Sequence, residues 1–305
     1  MSPASTEQFL LEQYTGHPAS QLQDLRKALY QSVFGCGHLI TDTSAAAEGI
    51  RKEAVEAGPC SREVETLDGP WSRVHLGVLT DGLTPETLAC MFARSAAMPH
   101  GGADTLQEKL TILQRLIRSG ALPYSPSEAE EELDDWQKNG FPACRHSEEY
   151  RAAYRPAYRV LHCTYVRLLP LLAAIDRTLK EKSRILLAIE GGAASGKSTL
   201  AELLTAIYPD TALFHADDFF LRPEQRTAAR YAQPGGNLDR ERLESEILAP
   251  ISRNEAAIYR PFDCHTLSLR EPMTVLPGRL NIVEGSYSFH PELARYYDLS
   301  VFLDI

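Results

Sequence analysis

Apolar residues in the first half of the chain recur with the spacing of amphipathic α-helices. In the segment 21–34, the residues on one helical face are Leu22, Leu25, Leu29 and Val33. Further helices are predicted over 43–57, from Thr84-Pro85-Glu86 onward, over 104–117 with Asp104 as N-cap, and from Ser125 or Ser127 to Asn139-Gly140. Residues 73–78 alternate in polarity, which predicts a short strand or hairpin arm. The pattern therefore indicates a mainly helical N-terminal domain, which we place at 1–180.

The segment 146–159 carries tyrosines and arginines spaced four residues apart. The two sets are Tyr150, Tyr154 and Tyr158, and Arg151, Arg155 and Arg159. A helix would turn them into adjacent ridges. One interpretation is a site for an anion or an aromatic ligand. The other is that the tyrosines pack inward while the arginines pair with the acidic stretch upstream. A long helix, kinked at Pro170, is predicted to follow over 160–180.

The pattern changes at Ile185, where an apolar run extends to Ile189. Such a run is typical of a strand that is buried on both faces. Gly191-Gly192-Ala193-Ala194-Ser195-Gly196-Lys197-Ser198 follows and fits the phosphate-binding pattern G-x-x-x-x-G-K-[ST]. Behind it, Leu200, Leu203, Leu204 and Ile207 share one helical face. Strand, loop and helix come in the order that a phosphate loop requires, which predicts a nucleotide-binding domain at 181–305.

Glycines in such a loop let successive backbone N–H groups point at an anion, and the helix dipole adds to the attraction. Lys197 would reach the β- and γ-phosphates, and the Ser198 hydroxyl would bind Mg²⁺. The residues expected to contact the nucleotide are Gly191, Ala193, Ala194, Ser195, Gly196, Lys197, Ser198 and Thr199. The alternative is a glycine-rich turn that carries a lysine by chance.

Carboxylates follow the next predicted strand, Thr211 to Ala216. Asp217 and Asp218 would lie at the ligand-binding edge of a parallel sheet. One could take the proton of an acceptor hydroxyl while the other holds Mg²⁺. Alternatively, they cap a helix. A helix from Asn237 and strands over 280–283 and 299–305 complete the predicted domain.

Composition limits the classes of function. The net charge is −10, from 31 basic and 41 acidic residues, which disfavours a general nucleic-acid or anionic-membrane binder. The sequence contains no apolar stretch of membrane-spanning length and no signal-peptide pattern. The 6 cysteines show no zinc spacing, and His38, His100 and His146 are interpreted as ordinary loop or core residues. We expect a cytoplasmic protein with reduced thiols, which could form a homodimer.

The motifs of the second half occur in the order found in one branch of the P-loop kinases. Ser195-Gly196-Lys197-Ser198-Thr199, HADDFF with Asp217, FDC with Asp263, VEGSYS with Glu284 and the YYDLSVFLDI strand resemble the uridine kinase and phosphoribulokinase-like family. The resemblance covers about 184–305. It implies a parallel sheet flanked by helices, with ATP and Mg²⁺ as cofactors and a small alcohol as the acceptor substrate.

The resemblance also implies roles for single residues. Asp217 looks like the acid that activates the acceptor hydroxyl, and Asp263 is similar to the acid that contacts the acceptor sugar. Glu284 looks like the strand-end acid near Mg²⁺, to which Asp218 would add a second carboxylate. Tyr259 and Arg260 are expected to line the acceptor pocket.

The sequence departs from the family in two places. Leu267, not His, stands four residues after Asp263, which weakens the expectation of uridine as the substrate. The family continues past the last strand into an arginine-rich lid, while this sequence ends at Ile305. Either the chain is truncated, or Arg151 or Arg155 replaces the lid arginine.

These observations predict an ATP-dependent kinase that phosphorylates a nucleoside-like or other small alcohol. One alternative is a nucleotide-binding regulator, or an inactive truncated kinase, that transfers no phosphate. Another is a nucleic-acid-processing P-loop enzyme that uses the arginine and tyrosine ridges, which the acidic balance disfavours.

Overall fold

The structure is a computed structural model that describes residues 5–36, 42–57 and 63–304. It divides into two compact units, Met1–Ala173 and Ala174–Ile305. The division falls inside a helix, Leu169–Glu181, whereas the sequence placed the boundary between 180 and 181. His38 and Cys60 lie outside the described residues.

Helices dominate the first unit, and their bounds confirm most of the predicted ones. The helices are α1 (Thr6–Gly16), α2 (Leu22–Phe34), α3 (Thr43–Glu56), α4 (Pro85–Ala96), α5 (Ala103–Arg118), α6 (Pro126–Lys138), α7 (Glu148–Tyr154) and α8 (Cys163–Val166), with a 3₁₀ helix at Leu76–Asp81. The next helix, α9 (Leu169–Glu181), begins in the first unit and ends in the second. Thr84 and Ser125 cap α4 and α6 as expected. Asp104 is not the N-cap of α5, because the helix begins at Ala103 with Gly102 as its N-cap, which places Asp104 in the first turn.

The first unit also contains a three-stranded antiparallel sheet of β1 (Val64–Thr66), β2 (Trp71–His75) and β3 (Tyr158–His162), in the order β1-β2-β3. Strand β2 confirms the predicted strand over residues 73–75, whereas residues 76–78 of the predicted segment lie in the 3₁₀ helix Leu76–Asp81. The helix predicted over 160–180 is wrong at its start, because β3 occupies that segment and pairs with β2. This pairing joins residues far apart in sequence, so local periodicity does not detect it.

The predicted arginine and tyrosine ridges do not form. Arg155 adopts a left-handed backbone conformation (φ 42°) and ends α7 ahead of Pro156. Tyr158 therefore lies on a strand, not on the helix with Tyr150. The Tyr150 ring is buried and stacks on His146, with ring centroids 4.1 Å apart. The interpretation that the tyrosines pack inward is therefore correct for Tyr150.

Two arginines of this segment form ion pairs with acidic residues. Arg151 pairs with Glu148 in its own helix, and Arg159 with Glu53 of α3. The acidic stretch 128–135 supplies neither partner. The described structure therefore offers no continuous Arg–Tyr surface of the kind that the ligand-site interpretation assumed.

A buried hydrogen-bond network surrounds Asp24 in this unit. Its carboxylate accepts bonds from His146 Nδ1 (2.7 Å), from the backbone N and Oγ of Ser147 (3.0 and 2.6 Å) and from the backbone N of Gln21 (2.9 Å). The bond from Nδ1–H leaves Nε2 of His146 as an acceptor for the Tyr158 hydroxyl, at 2.6 Å. The network joins α2, α7 and β3.

Acid is expected to destabilise the protein through His146. Burial lowers the pKa of His146 to about 4, even though the bond to Asp24 opposes this shift. An unfolded histidine has a pKa of about 6.5. Between these values the unfolded chain binds more protons, so the free energy of unfolding falls as pH drops, by up to about 3 kcal/mol.

Denaturant unfolding between pH 7.5 and 4.5 measures this effect. His146→Asn keeps a donor for Asp24 and removes the titrating ring, so its stability should depend less on pH over this range. The exposed His100→Asn is the matched control and should retain the wild-type slope. An unchanged slope in His146→Asn would show that this residue is not responsible.

The second unit is built on a four-stranded parallel sheet. Its strands are β4 (Ile185–Gly191), β5 (Thr211–His215), β10 (Leu280–Glu284) and β11 (Leu299–Leu303), in the order β11-β4-β10-β5. These bounds confirm the strands predicted from the apolar runs. Helix α10 (Lys197–Ile207) packs against β4, β5 and β10. The unit has the α/β architecture predicted for it, a parallel sheet flanked by helices.

The remaining elements connect β5 to β10 and β10 to β11. They are 3₁₀ helices at Ala216–Phe219, Pro223–Gln225 and Ala294–Tyr296, α11 (Ala228–Tyr231), α12 (Arg240–Arg242), a π-helical stretch at Leu243–Leu248, α13 (Ala249–Ser252), β6 (Ala257–Tyr259), β7 (Phe262–Asp263), β8 (Ser268–Leu269) and β9 (Met273–Val275). Leu243, Ile247, Leu248 and Ile251 are buried against the sheet, as their spacing predicted. Among the described residues, no helix combines the length and apolar character needed to cross a membrane.

Candidate active site

The predicted phosphate loop connects β4 to α10. Strand β4 is buried and lies between β10 and β11, so the loop leaves the sheet at its centre. Gly196 is the N-cap of α10, and Lys197 is the first helical residue. The free N–H groups of the first turn of the helix therefore point into the loop, which is the arrangement that attracts anions.

The backbone of the loop is specialised for a tight turn. Gly191 and Gly196 have φ angles of 154° and 89°, and Ala194 adopts φ 60° despite its side chain. A Cβ atom at Gly191 would lie 2.5 Å from the Leu303 carbonyl oxygen and 2.7 Å from Ser195 Oγ. Left-handed non-glycine residues are costly and concentrate at functional sites. The loop conformation thus requires glycine at 191 and stores strain at Ala194.

Two polar side chains of the loop, Lys197 and Ser195, could bind an anion. Lys197 Nζ donates to the carbonyl oxygens of Gly191 (3.2 Å) and Gly192 (2.7 Å). Ser195 Oγ is buried and has no hydrogen-bond partner within the described part of the chain. A phosphate group would supply acceptors for the lysine, the serine hydroxyl and the loop amides, so these residues fit a nucleotide's phosphates.

Glu284 lies at the carboxyl end of β10, next to the loop. Its carboxylate accepts a hydrogen bond from Ser198 Oγ (3.2 Å) and one from His215 Nδ1 (2.6 Å). The sheet register places His215 directly beside Glu284, because β10 and β5 are parallel neighbours. The bond from His215 lowers the pKa of the buried Glu284 carboxyl, so the carboxylate is ionised at neutral pH.

His215 is a site residue that the sequence analysis did not identify. It ends β5, and its hydrogen bond to Glu284 raises its pKa above the ordinary histidine value. The HADDFF segment was recognised for its acids, whereas the pairing of its histidine depends on strand register. The sequence did offer one signal: His215 ends a predicted strand, and Glu284 ends another. Two neighbouring parallel strands would bring these two side chains together.

Asp217 and Asp218 lie in the 3₁₀ helix that follows β5. Asp217 is exposed and Asp218 is half-buried. Burial raises the pKa of Asp218, while the nearby positive groups His215 and Arg270 oppose the shift. Asp218 follows His215 by three residues in the chain, and His215 is bonded to Glu284. The structure thus brings carboxylates from two neighbouring strands to one edge of the sheet; their individual roles remain predictions.

Asp263 already has several partners. Its Oδ1 accepts from the backbone N–H groups of His265 (2.8 Å) and Thr266 (3.4 Å), and its Oδ2 accepts from Arg270 Nε (3.1 Å). The turn bonds and Arg270 lower the pKa of this carboxyl. These contacts stabilise the turn between β7 and β8. The expected contact between Asp263 and an acceptor substrate stays a prediction.

Tyr259 and Arg260 occupy different environments. The Tyr259 ring is buried in the core, stacked 5.4 Å from the Phe219 ring. Burial, together with the Asp218 charge, raises the pKa of Tyr259 to about 12. Arg260 is exposed and donates to the carbonyl oxygens of Leu269 and Arg270. The structure thus gives Tyr259 a packing role, while Arg260 is available to a ligand.

The site suits Mg²⁺ only in combination with phosphate oxygens. In the residues that the structure describes, no cluster of three His, Cys, Asp or Glu side chains could bind a metal. Mg²⁺ in proteins is usually held by one or two carboxylates together with waters and substrate phosphates. Ser198 and Glu284, with Asp218 nearby, provide such a partial set.

Glu284→Gln is therefore expected to raise the Mg²⁺ concentration needed for tight ATP binding by about tenfold or more. The amide keeps the shape of the side chain but loses the charge that attracts the cation. ATP affinity measured by calorimetry at a series of Mg²⁺ concentrations checks this. The exposed Glu202→Gln on α10 is the control, and an identical Mg²⁺ dependence in the two variants would contradict the assignment of Glu284.

Comparison with known proteins gives a limited result. The chain matches no protein-family model and no curated protein. Among solved structures, it is similar to that of a possible uridine kinase from Bacillus stearothermophilus. The two are 22% identical, and the match covers 45% of this chain and 82% of that chain, with a TM-score of 0.37. A similarity this low carries no argument about function, which must rest on the site itself.

Proposed function

We propose that this protein is an ATP-dependent kinase that transfers the γ-phosphate to a hydroxyl of a small, nucleoside-like acceptor. One observation carries the proposal: a G-x-x-x-x-G-K-S loop and carboxylates from two adjoining parallel strands meet at one edge of the sheet. A phosphate-binding loop supplies the donor site, and the acids supply the proton acceptor and the metal ligands that phosphoryl transfer needs.

Phosphate binding and metal binding are assigned to different residues of the site. The amides of Ala193 to Thr199 would hold the phosphate oxygens, and Lys197 would exchange its two carbonyl bonds for the β- and γ-phosphates. Ser198 and Glu284, with Asp218, would hold Mg²⁺. A cation held there would supply positive charge to offset the negative charge of the phosphate oxygens.

Asp217 would act on the acceptor. It takes the proton of the acceptor hydroxyl as that oxygen bonds to the terminal phosphorus and the bond from phosphorus to the departing ADP oxygen breaks. Its exposure leaves its carboxylate accessible to a bound alcohol. Most of the rate enhancement would come from positioning and electrostatic stabilisation.

Incubation with γ-labelled ATP, Mg²⁺ and a panel of nucleosides, pantothenate and sugars tests the proposal. The expected result is label in one acceptor, lost in Asp217→Asn. ATP binding with no labelled product from any acceptor would favour the alternative of a nucleotide-binding regulator. Absence of ATP binding would contradict both.

A further inference from the structure

His215 binds one oxygen of the Glu284 carboxylate and leaves the other open. Oε1 of Glu284 accepts a hydrogen bond from His215 Nδ1 at 2.6 Å and one from Ser198 Oγ at 3.2 Å. Over the part of the chain that the structure describes, no hydrogen bond reaches Oε2 of this carboxylate. Glu284 is therefore fixed through one oxygen, while the second remains free to bind a cation.

The parallel sheet brings this histidine to the acid. Strands β5 and β10 are neighbours, and their register puts His215 beside Glu284 at the carboxyl ends of both strands. Because β5 lies at the edge of the sheet, the His215 side chain is 47% exposed, whereas that of Glu284 is only 7% exposed. A half-exposed histidine thus supplies the partner of a buried carboxylate.

The buried Glu284 carboxylate needs such a partner. An ionised acid loses solvation on burial, and hydrogen bonds or nearby positive groups must compensate for that loss. Among the described residues, His215 is the one basic side chain that pairs with Glu284, whereas the Lys197 ammonium donates to carbonyl oxygens of the loop. Without His215, the Ser198 hydroxyl would be the remaining donor, at a longer distance.

The acid that His215 holds lies next to the phosphate loop. Ser198 is in the first turn of α10, directly after the loop lysine, and its hydroxyl bonds to the same oxygen of Glu284 as the histidine does. One carboxylate oxygen therefore connects β5, β10 and α10. Side chains that ligate metals are usually oriented by hydrogen bonds from their neighbours, and loss of such a bond commonly costs about 10- to 100-fold in metal affinity.

We propose that His215 is a positioning residue, which holds Glu284 so that Oε2 stays open to the Mg²⁺ that accompanies ATP. This inference rests on the proposed function and adds a residue that sets its metal requirement. His215 acts through Glu284 and contacts neither the nucleotide nor the metal. The group that matters is the N–H at Nδ1, which a neutral imidazole also supplies, so a neutral amide in the same place should serve.

Calorimetric titrations of ATP at a series of Mg²⁺ concentrations test this role. His215→Ala should raise the Mg²⁺ concentration needed for half-maximal ATP binding by about tenfold or more. ATP affinity in EDTA should stay close to that of the wild type, because the loop contacts the phosphates directly. His215→Asn places an amide N–H near the position of Nδ1 and should restore most of the metal affinity. His265→Ala, which removes an exposed histidine of the same unit, is the control.

Two other roles for the His215–Glu284 pair predict different results. A pair that only stabilises the fold would lower the unfolding temperature of His215→Ala and leave its Mg²⁺ dependence unchanged. A pair that competes with the metal would make His215→Ala bind Mg²⁺ more tightly. Either result would overturn the inference. Thermal unfolding without ligand shows which variants fold, and His215→Leu, similar in shape to the asparagine variant but without its donor, replaces an alanine variant that does not.

A double-variant cycle shows whether His215 acts through Glu284. In a protein that carries Glu284→Gln, the further change His215→Ala should not alter the Mg²⁺ dependence, because the carboxylate that the histidine orients is gone. An additional loss as large as in the wild-type background would place His215 on the metal itself and contradict a positioning role.

The same titrations distinguish this inference from the kinase proposal. A Mg²⁺ dependence that shifts in His215→Ala and recovers in His215→Asn supports the positioning role even if no acceptor is phosphorylated. An unchanged dependence in a protein that transfers phosphate overturns the role of His215 and leaves the kinase proposal intact. Failure of the wild-type protein to bind ATP would overturn both.

Discussion

Lys197→Ala is expected to weaken ATP binding by about a hundredfold and to reduce phosphate transfer further. The side chain would bring a charged donor to two phosphates, and hydrogen bonds to charged groups contribute about 1.5–3 kcal/mol each. Calorimetric titration with Mg²⁺ and ATP measures the affinity. The effect should be local, because within the described residues Lys197 Nζ donates only to the carbonyl oxygens of Gly191 and Gly192 in the loop itself.

Lys180→Ala is the matched control, since it removes an exposed lysine from α9 in the same unit. Its ATP affinity should equal that of the wild type, and all three proteins should unfold at similar temperatures. If Lys197→Ala bound ATP as tightly as the control, the loop would not be a nucleotide site.

Asp217→Asn should lower the rate of phosphate transfer by about a hundredfold to ten-thousandfold while leaving ATP affinity unchanged. Asparagine keeps the shape of the side chain but cannot take the acceptor's proton, and general-base catalysis contributes about this much. Single-turnover transfer from γ-labelled ATP measures the chemical step. The exposed Asp210→Asn, in the connection before β5, should transfer at the wild-type rate.

Asp218→Asn tests which of the two neighbouring acids, Asp217 or Asp218, takes the acceptor's proton and which binds Mg²⁺. Its effect should appear in the Mg²⁺ requirement, because its carboxyl is half-buried beside His215 rather than open to an acceptor. If Asp218→Asn lost transfer while Asp217→Asn kept it, the two roles would have to be exchanged.

The sequence predicted the second unit well because its signals are local. The apolar run of β4, the loop motif and the face of Leu200 and Leu204 lie within one short segment, and the structure forms each element there. The carboxylates at strand ends could be anticipated because parallel strands bring their carboxyl ends to one edge of the sheet. These features predict where the site lies in the fold, but they do not assign a role to each of its residues.

The parts that could not be predicted depend on contacts between distant residues. The His215–Glu284 bond follows from the register of β5 against β10, which no local pattern encodes. The same holds for β3, whose partner β2 lies far away in the sequence. Tyr259 was expected to contact a ligand, but its ring is buried in the core against Phe219. Whether a strand residue is buried depends on the elements that pack over it, which the local sequence does not show.

In the Arg–Tyr segment 146–159, the sequence predicted a regular structure that does not form. A regular four-residue spacing predicted two helical ridges, but the turn at Arg155 and Pro156 divides the segment between a helix and a strand. Periodicity assumes one continuous element.

The structure of the protein with Mg²⁺ and a non-hydrolysable ATP analogue tests the central claim most directly. The account predicts the β- and γ-phosphates within hydrogen-bond distance, about 3 Å, of the loop amides and of Lys197 Nζ, with Ser198 and Glu284 facing the metal and Asp217 facing the γ-phosphate. A nucleotide bound elsewhere, or phosphates in the loop with Asp217 and Glu284 turned away from them, would contradict it.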